Sequence, residues 1–508
     1  MQGNSDFNVE LLDSGVVVGH LVPDGSVYAF LAEHRRRLFP DAMFSDLFPS
    51  GRGRPSVPAD VVATVMVLQA LEGLSDRDAI DALRTDIKWK VAAGRSLTDE
   101  GFHPTVLTLW RNRLRASAAP ERIFYAVRAV VAETGVLAKR TRRALDSTLL
   151  DDAVATQDTV TQLVSVIRRV RRQIPAVADV EVAAHDYDAG GKPVCAWDDP
   201  EARNQLVTGL VNDALAILDR LDGVDLDDDQ AELVGLLALV AGQDVDPGDT
   251  KGTWRIADRT APDRVISTVD PDARHMHKSR STYRDGYKAH VAVEPDTGII
   301  TAVDLTAANA ADGPTGVELL ADEAEGLEVF ADSAYGSGET RTALTDAGHS
   351  QTIKPIPLRA AVPGGFTKAD FRIDLAAGTV TCPAGHIANI TPSGRASFRR
   401  HCRDCPLRTR CTTAKRGRQI PIHPHEAELI AAREHAGSPD FAESYRRWRP
   451  PVERSIAWLV ANGHRRVRYR GIARNRLGLA TRAAAINLRR LINLGLDHGP
   501  NGWVLAAG

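Results

Sequence analysis

"GYKAHVAVEPDTGIITAVDLTAAN", residues 286–309, holds two runs of β-forming residues on either side of Glu294-Pro295-Asp296-Thr297-Gly298. Runs of that kind around a Pro-Asp-x-Gly turn predict a β-hairpin. Toward the C-terminus come a helical stretch near 313–325, a strand "LEVFAD" ending on Asp332, a helix from about 338 and a strand "QTIKPIPL". Toward the N-terminus, "RRALDSTLLDDA" (142–153) reads as a further strand. Strand, hairpin, helix, strand, helix, strand is the order of an α/β domain with a mixed sheet.

Helical pattern surrounds and interrupts this series. Residues 156–250 turn helical ("TVTQLVSVIRRVRRQI", "LVTGLVNDALAILDRL"), and residues 221–250 carry nine acids with no Lys or Arg, which reads as a solvated helical insertion. Before residue 140, "SVPADVVATVMVLQALEGL" offers Ser56 as an N-cap and Pro58 as a start. "SDRDAIDALRTDIKWKVAAG" follows with Ser75 as cap and Gly94 as stop, and "HPTVLTLWRNRLRA" gives a third helix bearing Arg111 and Arg113. Short helices preceded by the basic loop "GRGRPS" fit a helix-turn-helix DNA-binding unit, although any small helical bundle has this pattern.

Composition sets the class. The 508 residues are 43% hydrophobic and 25% charged, a globular profile with room for several domains. No apolar run of about 18 residues and no leader-like start is present, so a cytoplasmic location is expected. The net charge of −3 hides sorted blocks: from Tyr445 to Arg490 there are thirteen arginines and Glu453 as the one acid. Positive charges without acidic partners repel one another unless an anion neutralises them, which points to a polyanionic partner.

Three acids stand out. Asp146 lies inside a strand, where aspartate is depleted. Asp332 ends a strand, where a capping or turn role is the structural alternative. Glu453 follows Pro450 and Pro451 in the first turn of a helix, where the helix dipole favours an acid by a few tenths of a kcal/mol, and no Ser or Thr completes a capping box. Brought together at one end of a sheet, three carboxylates resist ionising at once. Two divalent cations about 3.5–4 Å apart relieve that conflict and serve in-line displacement at phosphodiesters.

These segments together resemble the DDE transposases of bacterial insertion sequences, in the larger, cysteine-bearing branch. "LDST" is similar to the first-Asp strand, "YRDGYKAHVAVEPDTGIITAVDLTAANAAD" to the central hairpin and "VFADSAYGS" to the second-Asp segment. "YRRWRPPVERSIAWL" resembles the Tyr, Arg and Glu signature through Tyr445, Arg449 and Glu453, and "GRGRPSVPADVVATVMVLQALEGLSDRDAIDAL" resembles the family's N-terminal domain. The resemblance implies an RNase H-like mixed-sheet core over 141–155 and 251–357, with a helical DNA-binding domain over 1–140. It further implies an acidic helical insertion over 156–250, a cysteine-bearing insertion over 358–440, and C-terminal core helices over 441–508.

It also implies Asp146, Asp332 and Glu453 as ligands of two Mg²⁺ ions, for which Mn²⁺ substitutes, and hydrolysis at the element's ends followed by strand transfer. Terminal inverted repeats and target DNA are the implied partners, on a homodimer or higher assembly associated with the nucleoid. Lys288 and Arg449 are implied phosphate contacts. The chain departs from the signature where Trp448 stands in the usual arginine position, with the arginine one residue later, and where Val460 replaces a lysine; His464, Arg465 and Arg466, about a turn on, are candidate substitutes.

"CPAGHIANITPSGRASFRRHCRDCPLRTRC" (382–411) gathers four of the five cysteines. Cys382, Cys402, Cys405 and Cys411 suit a tetrahedral Zn²⁺, with His386 and His401 in reserve; the competing reading is reduced thiols in a basic loop. Cys195 stands apart. Two further functions remain open: a transposase-derived DNA-binding protein that no longer transposes, and a metal-dependent DNA nuclease on the same fold.

Overall fold

The computed structural model of the chain describes residues 1–5, 11–277 and 283–506. Its centre is a six-stranded sheet of β1 (Arg142–Asp151), β2 (Arg274–His277), β3 (Tyr283–Glu294), β4 (Ile299–Ala307), β5 (Glu328–Ala331) and β6 (Ser350–Ile353). β3 runs antiparallel to β1 on one side, and on its other edge pairs antiparallel with β2 and then β4. β5 lies parallel to β1, and β6 parallel to β5.

The hairpin forms where its turn residues predict. The Glu294 carboxylate accepts from the backbone N–H groups of Asp296, at 3.1 Å, and Thr297, at 2.8 Å, closing the bend between two buried strands. The helix expected near 313–325 is shorter, Asp312–Glu318, and "QTIKPIPL" keeps strand geometry only to Ile353, because its prolines lack the N–H a ladder needs.

The N-terminal helices include α1 (Ala59–Glu72), α2 (Asp76–Thr85) and α3 (Thr105–Ala116). Ser75 caps α2 through a capping box with Asp78, and Gly94 ends the helix that follows, both as the sequence predicts. Ser56 does not cap α1; its hydroxyl accepts from Gly3 N–H, and Pro58 takes the cap position without a side-chain bond.

α1 is buried on nearly every side, so it is a core helix rather than a surface one. It packs against the C-terminal helix α9 (Ile472–Asn493), and one continuous apolar cluster runs from Val27 through β1, β3 and β4 to Trp503.

The insertion after β1 builds its own core from α4 (Thr159–Gln173), α5 (Pro200–Arg220) and α6 (Asp228–Gln243). Part of its acid block has a local cause: Asp227 forms a capping box with Gln230, and Asp228 and Asp229 occupy the first turn of α6, where the helix dipole favours negative charge. The cysteine-bearing segment holds five strands of three residues each, in a three-stranded sheet and a two-stranded ribbon. No helix among the described residues is long and apolar enough to cross a membrane.

Candidate active site

β1 and β5 are paired in parallel, with Arg142 opposite Glu328 and Ala144 opposite Phe330. Two residues further along each strand stand Asp146 and Asp332, so the register carries both acids to one level on neighbouring strands. Asp332 leaves the strand as cap of a short 3₁₀ turn and accepts from Ala334 N–H at 2.9 Å. Asp146 stays in the strand, where its Oδ1 accepts from Ser147 N–H at 2.9 Å. Burial pushes the Asp146 carboxyl above its ordinary range, Arg449 pulls it back, and the charge of Asp332 pushes it up again.

The third acid arrives on the C-terminal helices. α7 (Pro439–Trp448) and α8 (Pro450–Val460) meet at Arg449, and α8 packs against β1. Pro450 and Pro451 suit a helix start and place Glu453 in its first turn, while Tyr445 stays on α7. Arg449 joins the acids: its Nη2 lies 2.9 Å from Asp146 Oδ1 and its Nη1 lies 3.7 Å from Glu453 Oε1.

The Arg449 side chain is 6% exposed and that of Glu453 68% exposed, so the arginine is fixed inside while the glutamate reaches outward. Nε and Nη1 of Arg449 are buried without a hydrogen bond, an arrangement suited to an incoming anion. Tyr445 feels the whole group: burial raises its phenol, Arg449 lowers it, and Asp332, Asp146 and Glu453 each raise it. Among the described residues no three His, Cys, Asp or Glu side chains already stand close enough to hold a metal ion, and at the acids the Arg449 guanidinium supplies the positive charge.

Several basic residues expected on a DNA-facing surface are engaged with the protein instead. Lys288 is 3% exposed and donates to Ala310 C=O at 2.5 Å, with Asp312 at 3.5 Å. Beside it His290, whose pKa burial lowers to about 4, faces the same aspartate. The β-strand alternation that turns Lys288 inward was not separable in sequence from one that turns it outward.

Arg111 is gripped by both Asp76 oxygens at 2.8 Å and by Gln69 at 2.6 Å. Arg465 donates to Thr148 Oγ1 and Leu149 C=O, and Arg466 to Asp152 C=O. His464, the other candidate near the missing lysine, donates through Nε2 to Ala70 C=O, and burial lowers its pKa to about 4. Arg113 stays exposed, over the Phe48 ring at 4.6 Å.

Arg446, Arg447 and Arg454, which the sequence groups with the arginine-rich segment around Glu453, are exposed, as is Lys354, whose Nζ lies 4.5 Å from the Tyr445 ring centre. The three arginines were visible as flanks of Glu453, while Lys354 is brought in by the end of β6 and carries no local signal.

The four clustered cysteines also converge. Cys382, Cys402, Cys405 and Cys411 line one small cavity, and burial raises the Cys411 thiol, with smaller upward pushes from the other three.

Comparison with known families gives two matches. Residues 381–492, which include the cysteines and Glu453, match the model described as "Transposase DDE domain". Residues 17–113, in the N-terminal helices, match "Transposase domain (DUF772)". No curated protein and no solved structure matches the chain.

Proposed function

Taking as premise the DDE-type transposase of an insertion element that these matches indicate, we propose that the chain binds the terminal inverted repeats of its own element and catalyses Mg²⁺-dependent DNA strand cleavage and strand transfer. Asp146, Asp332 and Glu453 are its catalytic acids, on an RNase H-like core. One observation carries this reading: the parallel register sets Asp146 level with Asp332, and Arg449 ties Asp146 to Glu453 from a segment far along the chain. The path β4-β3-β1-β5-β6 through the sheet, with β3 antiparallel to every strand it joins and β1, β5 and β6 parallel, supports the same core.

The donor set fits a hard divalent cation, being three carboxylates without thiol or imidazole. When bound, a pair of Mg²⁺ ions supplies Lewis-acid activation of the attacking oxygen and stabilisation of the leaving one. The chain's own residues do the rest. Ser147 and Ala334 N–H groups fix the two strand acids, while the exposed Glu453 has freedom to swing inward. Arg449 lowers the Asp146 pKa against the upward push of burial, and its Nε and Nη1 are without a hydrogen bond that would compete with a phosphate. Arg446, Arg447, Arg454 and Lys354 contact the DNA backbone, which fixes register without reading sequence.

Water attacks phosphorus at the element end, the P–O3′ bond breaks, and a free 3′-hydroxyl and a 5′-phosphate result. That hydroxyl then attacks a target phosphodiester, forming a new P–O bond as the target's P–O3′ bond breaks. Holding two ends at once calls for at least a homodimer.

The test incubates purified protein and Mg²⁺ with DNA carrying the flanking repeats, comparing wild type with Glu453→Gln. Wild type is expected to cut and join, and the variant to bind without joining. Joining that persists in the variant overturns the assignment of Glu453. Binding without cutting by wild type identifies a transposase-derived binding protein, and cutting without joining a plain nuclease.

A further inference from the structure

The segment around the cysteines is too small to hold itself. Its apolar core consists of Phe371, Val380, Ala396, Phe398, Ile420 and two of the cysteines, and its strands are three residues long. Units of this size need a covalent or metal staple, since their buried apolar area does not offset the entropy of ordering the chain. All five cysteines are free thiols, so no disulfide supplies it.

We propose that Cys382, Cys402, Cys405 and Cys411 bind one zinc ion as a closed tetrahedral thiolate site that holds this segment folded. Four features of the structure carry the assignment. First, all four cysteines line one cavity of about 20 Å³, room for a single water-sized body.

Second, three of the four cysteines sit on tight turns and Cys411 ends a one-turn helix (Arg408–Cys411), so no ladder holds their side chains. Cys382 N–H donates to His386 C=O at 2.9 Å and Gly385 N–H returns to Cys382 C=O at 2.8 Å; Cys402 N–H donates to Phe398 C=O, and Cys405 C=O accepts from Arg408 N–H. Third, Arg418 N–H points at Cys402 Sγ at 3.4 Å, the kind of outer bond that orients a thiolate ligand. Gly417 makes that approach possible, having φ +85° and leaving no room for a Cβ, which would lie 2.9 Å from Cys402 Cβ.

Fourth, the charge balances. Four thiolates around Zn²⁺ leave two negative charges, and Arg408 and Arg418 both line the cavity. Arg418 Nε is buried without a hydrogen bond, a cost that an anionic cluster beside it offsets. Soft sulfur donors in a closed set of four select zinc over the hard cation proposed at the acids. The thiols close on the ion when it binds, because as they stand they are not yet gathered to ligating distance.

The full-length protein, purified under reducing conditions, is assayed for zinc by mass spectrometry and for thiolate ligation by Co²⁺ substitution. Cobalt's sulfur charge-transfer bands report thiolates and not carboxylates. The expected result is one zinc per chain and a tetrahedral, four-sulfur cobalt spectrum. Cys382→Ser and Cys405→Ser, both at half-buried positions, are expected to lose the metal at least tenfold more readily, whereas Cys195→Ser retains it. Chelation of wild type is expected to raise hydrogen exchange in 366–422 ahead of the central sheet. Three results overturn the proposal: wild type that takes up neither metal, cluster thiols recovered as disulfides, or zinc retained by the Cys382→Ser/Cys405→Ser double variant. None of them bears on DNA cleavage by the acids.

Discussion

The arginine-rich segment has two halves that look alike in sequence and behave differently in the fold. Around Glu453, Arg446, Arg447 and Arg454 are exposed. Beyond residue 460 several basic side chains bond backbone carbonyls instead, three of them at the C-terminus of α1. Arg482 donates to the carbonyls of Ala70 and Leu71, Arg468 to those of Gly73 and Leu74, and His464 and Asn462 add bonds to Ala70 and Leu71. The last carbonyls of a helix lack intrahelical donors and carry partial negative charge, so they serve as partners for cations in place of acids. An arginine run without acids is therefore not by itself a polyanion site; backbone carbonyls from other parts of the chain engage Arg465, Arg466, Arg468, Arg482 and Arg490 of this one.

The largest test of that contrast is Arg482→Leu. Arg482 is 3% exposed, burial lowers its pKa to about 10, and its loss removes a buried cation that donates to the carbonyls of Ala70, Leu71 and Trp458. Urea unfolding is expected to show a loss of about 3 kcal/mol or more. Unchanged stability would remove the inward half of the comparison. Changing Arg446, Arg447 and Arg454 together to Ala is expected to do the reverse. Stability stays within about 0.5 kcal/mol, while the slope of log affinity for DNA against log salt flattens by about 2.7. An unaltered slope breaks the outward half.

A smaller effect separates burial from pairing where Arg466 meets Asp152. Burial raises the Asp152 carboxyl from its ordinary 3.8 to about 6. The folded chain then holds a proton that the unfolded chain has released, so this contribution to stability is present below pH 4 and is lost as pH rises through about 6. Asp152→Asn is accordingly expected to match wild type at pH 4 and to exceed it by about 1–2 kcal/mol at pH 7, after discounting for partial solvation. A gap that shrinks with rising pH contradicts the burial account. Smallest of all, Arg113→Ala is expected to flatten the salt slope by about 0.9 with stability unchanged, if α3 tracks the phosphate backbone.

Much of this was legible because local chemistry and long-range placement agree. The hairpin at 286–309, the Ser75 cap and the Gly94 stop each follow from a few adjacent residues, and Asp146 was conspicuous because nothing in a strand explains it. The two prolines before Glu453 correctly divided α7 from α8. What stayed hidden depends on partners far along the chain. The inward turn of Lys288, the grip of Asp76 on Arg111 and the arrival of Lys354 beside Tyr445 are set by which faces pack together. Charge patterning counts residues without seeing the carbonyls they meet, and so it overstated the free charge beyond residue 460.

The packing of α1 against α9 has a consequence in time. α1 ends at Glu72 and its main cover begins at Ile472, so 400 residues separate a helix that is buried on nearly every side from the surface that covers it most. At about 5–20 residues per second, a ribosome takes about 20–80 s to close that gap. Through that interval the growing chain carries a core helix covered only by its N-terminal neighbours, and α9 acts as the latch that ends the exposure.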